Sequence, residues 1–180
     1  MKKRFLKSII CSTVIASTLL FGGCGDEEKG NKDVDINAVY DAVKEAYGDD
    51  FVPDYEYDSE DIAEIYNITA DLYDDIYVNV AKVSFDIDTF VAVKAKEGKA
   101  DEVEKLLKEY RQSQIDDAMQ YPVNAIKIQA SEVTRHGNYI FFTCLGVISE
   151  ESQEAGEDAI LDEAKKDNKI AVDKINTFFE

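Results

Sequence analysis

Two pairs of strand-like segments constrain the fold more than any other feature of this sequence. In the first pair, residues 77–85 and 89–96 alternate in side-chain character with a period of two, which is typical of β-strands. The three residues Asp86-Ile87-Asp88 join the two segments. We therefore expect an antiparallel hairpin, because so short a connection cannot cross over to a parallel strand.

The second pair consists of residues 125–135 and 139–148, and it is joined by His136-Gly137-Asn138. Residue types in this connection tolerate positive φ angles, which favours a second hairpin. Three apolar side chains are expected on one face of its first strand: Ile126, Ile128 and Ala130.

Apolar residues recur at helical spacing in four further segments, residues 35–47, 58–66, 99–121 and 168–179. Asp35 can cap the first helix and Gly48 can end it, and Asp58 or Ser59 can cap the second. Pro122 stops the third. The acidic stretch 149–158 is predicted to be a loop. The resulting order, α-α-β-β-α-β-β-α, predicts an α+β fold in which two hairpins form an antiparallel sheet with helices packed on one face.

The first 23 residues have the pattern of an export signal. Four basic residues lie within residues 1–7, and residues 8–21 are apolar or small without a charge. This uncharged run is shorter than the roughly 20 residues that a membrane-spanning helix needs, which favours a cleaved signal over a permanent anchor.

Cys24 follows two glycines directly, and this sequence resembles the bacterial lipobox, although Phe21 stands where the lipobox usually has leucine. The resemblance implies cleavage between Gly23 and Cys24 and attachment of acyl chains such as palmitate to Cys24. Two acyl chains suffice for stable attachment to a membrane. The alternative is an ordinary secretory signal in which Cys24 has no role.

Residues 24–32 comprise this cysteine and a charged, glycine-containing tether, and residues 33–180 form one globular domain. The first 23 residues hold four of the 20 basic residues and none of the 38 acidic ones, so a net charge of −22 remains. This charge repels nucleic acid, and no basic patch with interleaved aromatic residues is present. Nucleic-acid binding is therefore excluded as a main role.

Few residues are candidates for chemistry. His136 is the single histidine of the chain, and it could act as a base, although a hairpin turn often exposes a histidine without a role. Cys144 alternates in register with apolar neighbours and is expected to be a buried thiol rather than a nucleophile. Asp86 and Asp88 are two residues apart, a spacing that suits either acid-base chemistry or an ordinary turn.

Metal and cofactor sites are not predicted. Residues 54–61 are rich in carboxylates, but as an EF-hand from Asp54 they place Ser59 where glycine is required and Ile65 where glutamate is required. Calcium binding of another kind stays open. The sequence also lacks the glycine-rich phosphate loop, the zinc-protease motif and the serine-hydrolase elbow.

The chain resembles an uncharacterised family of Gram-positive lipoproteins, domain of unknown function 4358. The features that carry the resemblance are the lipobox at Cys24, INAVYDAVKEAY, VAVKAK, the long helix with Arg111 that ends at Tyr121-Pro122, and HGNYIFF. The resemblance implies surface localisation and supplies no catalytic residues.

We therefore predict a lipid-anchored protein at the outer face of a bacterial cell membrane. The favoured role is a binding or structural module of the envelope, with an unknown envelope protein or ligand as partner. The alternative is a hydrolase-like envelope enzyme that uses a carboxylate such as Asp86 or Asp88. Clustered carboxylates with shifted pKa values that line a deep pocket would favour the enzyme, and an exposed aromatic patch without such a pocket would favour the binding module.

Overall fold

The computed structural model describes residues 33–82, 85–117 and 120–180. The predicted signal, its cleavage site and the predicted lipidation site Cys24 lie outside these residues. The described elements follow one another as α1 (Ile36–Tyr47), β1 (Tyr55–Glu56), α2 (Ser59–Tyr66), β2 (Tyr73–Val80), β3 (Thr89–Ala95), α3 (Ala100–Asp116), α4 (Pro122–Lys127), β4 (Glu132–His136), β5 (Tyr139–Cys144), α5 (Glu150–Ala155) and α6 (Glu157–Asn176).

Within the described residues, five strands form one antiparallel sheet with the spatial order β1-β2-β3-β5-β4. The predicted hairpins are β2-β3 and β4-β5, and β3 pairs with β5 to join them. The two-residue strand β1 adds to the outer edge of β2. The α+β class and the antiparallel sheet of two hairpins are therefore confirmed.

Helices cover both faces of the sheet, so the prediction of helices on one face is wrong. Helices α2 and α3 pack with one set of strand residues, which includes Val91, Val93 and Phe142. Helices α1 and α6 pack with the opposite set, which includes Phe90 and Phe141. The physical reason lies in β5, where all six residues are buried, because each face of this strand carries apolar side chains that need cover.

The first two helices follow their predicted capping signals. The carboxylate of Asp35 accepts a hydrogen bond from the backbone N–H of Asn37, and Gly48 ends α1 with a φ of +57°. The carboxylate of Asp58 accepts from the backbone N–H groups of Glu60 and Asp61 at the start of α2. These acidic residues at 58–61 therefore serve as a helix start.

Residues 125–130 are helical, so the strand predicted over residues 125–135 is wrong in its first half. Pro122 is the first residue of α4, where its missing N–H and fixed φ suit a helix, and it begins a helix instead of ending one. A 3₁₀ turn over Ile128–Ala130 follows, and β4 starts only at Glu132. Helix α3 ends at Asp116, so the prediction that it reaches residue 121 is wrong.

The loop predicted for residues 149–158 is also wrong, since this stretch is mostly helical. The hydroxyl of Ser149 accepts a hydrogen bond from the backbone N–H of Ser152, and two glutamates occupy the first turn of α5. Both features favour a helix start. Gly156 separates α5 from α6, which begins at Glu157, well before the predicted helix at residue 168.

Asp33, the first described residue, is attached to one end of the sheet. Its carboxylate accepts hydrogen bonds from Lys94 Nζ at 2.6 Å and from the Tyr139 hydroxyl at 3.2 Å. Lys94 and Tyr139 are cross-strand partners near the end of β3 and the start of β5. Residue 88 precedes the first residue of β3 and lies at the opposite end, roughly 20 Å away at about 3.3 Å per residue.

No helix among the described residues is long and apolar enough to span a bilayer.

Candidate functional site

A buried ion pair lies at the end of the sheet opposite Asp33. Asp88 immediately precedes β3, and Lys127 is the last residue of α4. The side chain of Asp88 is fully buried and that of Lys127 is 7% exposed, and Lys127 Nζ contacts Asp88 Oδ2. The other oxygen, Asp88 Oδ1, accepts the backbone N–H of Gly146 at 2.9 Å. Both oxygens of this carboxylate are therefore occupied by donors of the protein itself.

Asp86 is the more accessible of the two predicted carboxylates. Its side chain is 26% exposed, and its Oδ1 lies 3.7 Å from Lys127 Nζ. The same oxygen accepts the backbone N–H of Asp88 at 3.1 Å, which fixes the turn before β3. The Asp86 carboxylate therefore lies close to the ammonium group of Lys127, and part of its side chain is exposed to solvent.

The electrostatics of these three groups follow from burial and mutual contact. Burial raises the pKa of Asp88 to about 7, against the opposing charge of Lys127, and the Asp86 carboxylate adds to the increase. Burial also acts to raise the pKa of Asp86, but the hydrogen bond with Asp88 and the charge of Lys127 lower it overall. Burial opposes the ammonium form of Lys127, yet the contact with Asp88 leaves its pKa above the usual value.

A pocket of about 140 Å³ opens beside this ion pair. Asp86 and Asp88 line one part of it, and the aromatic residues Tyr57, Tyr110 and Phe142 line another. Tyr110 and Phe142 meet edge to face, with ring centroids 5.4 Å apart. The pocket thus combines carboxylates with aromatic walls, and it lies between the sheet and helix α3.

Buried amide side chains fix the segments around the ion pair. Asn124 Nδ2 donates to the carbonyl oxygen of Phe85 at 2.9 Å, which ties α4 to the turn that carries Asp86. On α6, Asn168 Oδ1 accepts the backbone N–H of Leu145 at 3.1 Å, and Asn168 Nδ2 donates to the carbonyl oxygen of Ala130 at 3.1 Å. Four segments distant in sequence are therefore held at one end of the sheet.

Two exposed aromatic side chains belong to the same end of the molecule. Phe85 directly precedes Asp86 and is 62% exposed, and Tyr121 directly precedes α4 and is 61% exposed. The hydrogen bond from Asn124 to the carbonyl oxygen of Phe85 links the two segments. Exposed aromatic side chains therefore lie beside a pocket that contains carboxylates, so the expected sign of a binding module, an aromatic patch without such a pocket, is met only in its first half.

The other sequence candidates lie apart from this pocket or are inaccessible. His136 ends β4 opposite Tyr139, at the Asp33 end of the sheet, and its ring stacks on Phe179 with centroids 4.3 Å apart. Its pKa is lowered by partial burial. Cys144 is buried as predicted, and burial raises the pKa of its thiol to about 12.

The carboxylates show no metal-binding constellation within the described part of the chain. No group of three or more histidine, cysteine, aspartate or glutamate side chains there is arranged to hold a metal ion. Asp54, the first position of the EF-hand alignment, instead accepts the backbone N–H of Lys82 at 2.9 Å.

Lys127 is the functional-site residue that sequence reasoning missed. It lies between Ile126 and Ile128 in an apolar stretch, and an isolated lysine in such a stretch is a signal for a buried, paired cation. The assignment of this segment to a strand hid the signal, because a strand with Ile126 and Ile128 facing inward would turn Lys127 toward solvent.

The family model described as Domain of unknown function (DUF4358) matches residues 47–145, which is more than half of the chain. The chain belongs to this family. The predicted resemblance to DUF4358 is thus confirmed, and the matched segment contains Asp86, Asp88 and Lys127. Cys24 lies outside it, so the lipid anchor stays a prediction. No curated protein and no solved structure matches the chain.

Proposed function

We propose that this DUF4358 protein is a lipoprotein, attached through Cys24 to the outer face of a bacterial cell membrane, whose folded domain is a binding module of the envelope. The export pattern in residues 1–23 and the lipobox-like sequence before Cys24 support the attachment. The acidic surface supports a partner or ligand with positive charge.

The position at which the chain enters the domain, Asp33, supports a role of the opposite end of the domain in contacting partners. Residues 25–32 can span at most about 30 Å when fully extended, so the domain would stay near the bilayer. The chain enters the domain beside Lys94 and Tyr139, while Asp86 and the exposed aromatic residues lie at the other end of the sheet. This arrangement would direct the pocket away from the attachment point.

The state of Asp88 is the observation that carries the preference for binding over catalysis. Its side chain is fully buried, and its two oxygens accept from Lys127 and Gly146. A carboxylate held in this way is positioned to fix structure, because its side chain has no exposed surface at which a substrate proton could come within hydrogen-bond reach.

A hydrolase-like enzyme is the second candidate, and one observation favours it. Asp86 and Asp88 line the same pocket, and the pKa of Asp88 is raised to about 7 by burial, which suits a general acid or base at neutral pH. In this case Asp86 would be the group that contacts the substrate.

Membrane attachment is tested by fractionating cells that express the full chain or its Cys24→Ala variant. We expect the parent in the membrane fraction and in the detergent phase on phase separation, and the variant in the aqueous phase. Cys11→Ala is the matched control, because it removes a thiol from the same leader and leaves Cys24 in place. Equal membrane association of parent and Cys24→Ala would disprove the anchor.

The binding role is tested by photo-crosslinking in intact cells. A photoreactive amino acid at Tyr121 should give a discrete adduct, and the same group at Lys105 on the exposed side of α3 should not. Absence of an adduct at Tyr121, together with hydrolysis of an envelope substrate that Asp86→Asn abolishes, would favour the enzyme instead.

A further inference from the structure

The pocket beside Asp86 has the chemistry of a site for an organic cation. Its volume of about 140 Å³ is roughly ten times the minimum that a single water molecule requires. It therefore has room for a small group and is smaller than the roughly 300 Å³ at which drug-sized pockets begin.

Charge restricts what this pocket can hold. The two carboxylates of Asp86 and Asp88 meet one ammonium group, that of Lys127. Among these three groups negative charge is in excess when both carboxylates are ionised, and the pKa of Asp86 is lowered by its contacts with Asp88 and Lys127 although burial opposes this. An anionic ligand would be repelled, whereas a cation would approach Asp86 from its exposed side.

The walls of the pocket favour an organic cation over a metal ion. Tyr57, Tyr110 and Phe142 contribute aromatic rings to the lining, and aromatic rings attract alkylammonium groups through the ring quadrupole and pack with their methylene groups. A hard divalent ion would require several oxygen ligands in regular geometry, and Asp88 already uses both of its oxygens within the protein.

We propose that the pocket lined by Asp86, Tyr57 and Tyr110 binds an alkylammonium group, with Asp86 as the counter-ion. This inference rests on the proposed binding role and names its ligand class. The alkylammonium group could belong to a small free amine or to a lysine side chain of a partner.

Calorimetric titration of the purified protein in nonionic detergent tests the proposal with n-butylammonium chloride as probe. We expect saturable binding with one site per chain, and none with n-butanol, which has the same carbon chain without the charge. Asp86→Asn keeps the size of the side chain and its ability to accept the N–H of Asp88, and should weaken binding by about tenfold or more. Lys105→Met, a change on the exposed side of α3 outside the pocket lining, should leave the affinity unchanged.

A second probe, lysine with both backbone ends capped, separates the two sources of the group. Binding of the capped lysine assigns the pocket to lysine side chains as well as amines, and its exclusion while butylammonium binds assigns the pocket to free amines. Equal binding of butylammonium and butanol, or an unchanged affinity in Asp86→Asn with an unchanged melting temperature, would overturn the proposal. These outcomes do not depend on membrane attachment, so failure of the Cys24 experiment is recognised separately.

Discussion

Replacement of Lys127 by methionine should destabilise the fold by about 3 to 5 kcal/mol at pH 8.5. The change keeps a long, unbranched side chain and removes the ammonium group that contacts Asp88 Oδ2. Asp88 is fully buried and cannot recover its hydration. For a domain of this size the loss corresponds to a decrease in melting temperature of roughly 10 °C.

The loss of stability in Lys127→Met should depend on pH, and the direction of this dependence follows from the pKa of Asp88. In the folded parent this pKa is about 7, above the ordinary value of 3.8, so folding holds a proton that the unfolded chain releases. The stability contributed in this way is fully present below pH 3.8 and is lost as the pH rises to about 7. Without Lys127 the pKa of Asp88 is higher still, and the loss continues above pH 7 in the variant alone.

The difference in free energy of unfolding between the parent and Lys127→Met should therefore be about 2 kcal/mol smaller at pH 6 than at pH 8.5. The variant alone loses stability above pH 7, and 1.5 pH units correspond to about 2 kcal/mol. Urea denaturation followed by circular dichroism at both pH values measures it. Lys105→Met is the control, since the Lys105 side chain is 72% exposed and its pairing with Glu109 contributes little.

The double variant Asp88→Asn/Lys127→Met tests the reason for the effect. It removes both charges and retains an oxygen that can accept the N–H of Gly146, so its stability should return to within about 1 to 2 kcal/mol of the parent. A cost of less than about 1 kcal/mol for Lys127→Met at pH 8.5, a cost independent of pH, or additive losses in the double variant would refute the reasoning.

Gly146, Cys144 and Asn168 each allow a separate measurement. Gly146→Ala should lower the free energy of unfolding by about 3 kcal/mol in urea denaturation, because the φ of Gly146 is +122° and a Cβ would lie 2.4 Å from Asp167 Cβ. Gly98→Ala is the control and should lower it by about 1 kcal/mol, because Gly98 has a φ of +74° but open space for a Cβ. Equal losses in the two variants would contradict the clash. The buried Cys144 thiol should react with a disulfide reagent only after unfolding, and labelling of the native protein as fast as of the denatured chain would contradict this. Asn168→Ala should lower stability by about 2 to 4 kcal/mol, because it leaves two buried backbone groups without partners, and thermal denaturation indistinguishable from the parent would contradict that role.

Local signals were sufficient for the elements whose ends depend on neighbouring residues. Asp35 and Gly48 bound α1 as their side chain and backbone chemistry predicts, and the second hairpin turns at Gly137-Asn138 within its predicted connection. The first predicted strand, over residues 77–85, is wrong in its bounds, because β2 spans Tyr73–Val80. The burial of β5 on both faces was not predicted, although Tyr139–Cys144 contains apolar residues at successive positions and not only at alternate ones. Such a run indicates a strand covered on both faces.

The candidate site was accessible to sequence reasoning only in part. Asp86 and Asp88 were identified, but their partner Lys127 lies 39 residues from Asp88, and no local pattern encodes a pairing over that distance. The helical conformation of residues 122–130 depends on packing against α6, and this tertiary contact outweighed the alternation of Ile126, Ile128 and Ala130. The error over residues 149–158 has another origin, because the helix there starts from the Ser149 cap and an acidic first turn and not from apolar spacing.

The hydrogen bonds of Asp33 with Lys94 and Tyr139 fix where the chain enters the domain, and this has a consequence for the affinity that the pocket needs for its partner. With the chain attached at Cys24, as we propose, the domain would be confined to a thin layer above the bilayer, where a short flexible link gives an effective concentration in the millimolar range toward partners in the same membrane. At that concentration a pocket with only millimolar affinity would be substantially occupied by neighbouring proteins. Weak binding measured in solution would then be sufficient for function at the cell surface.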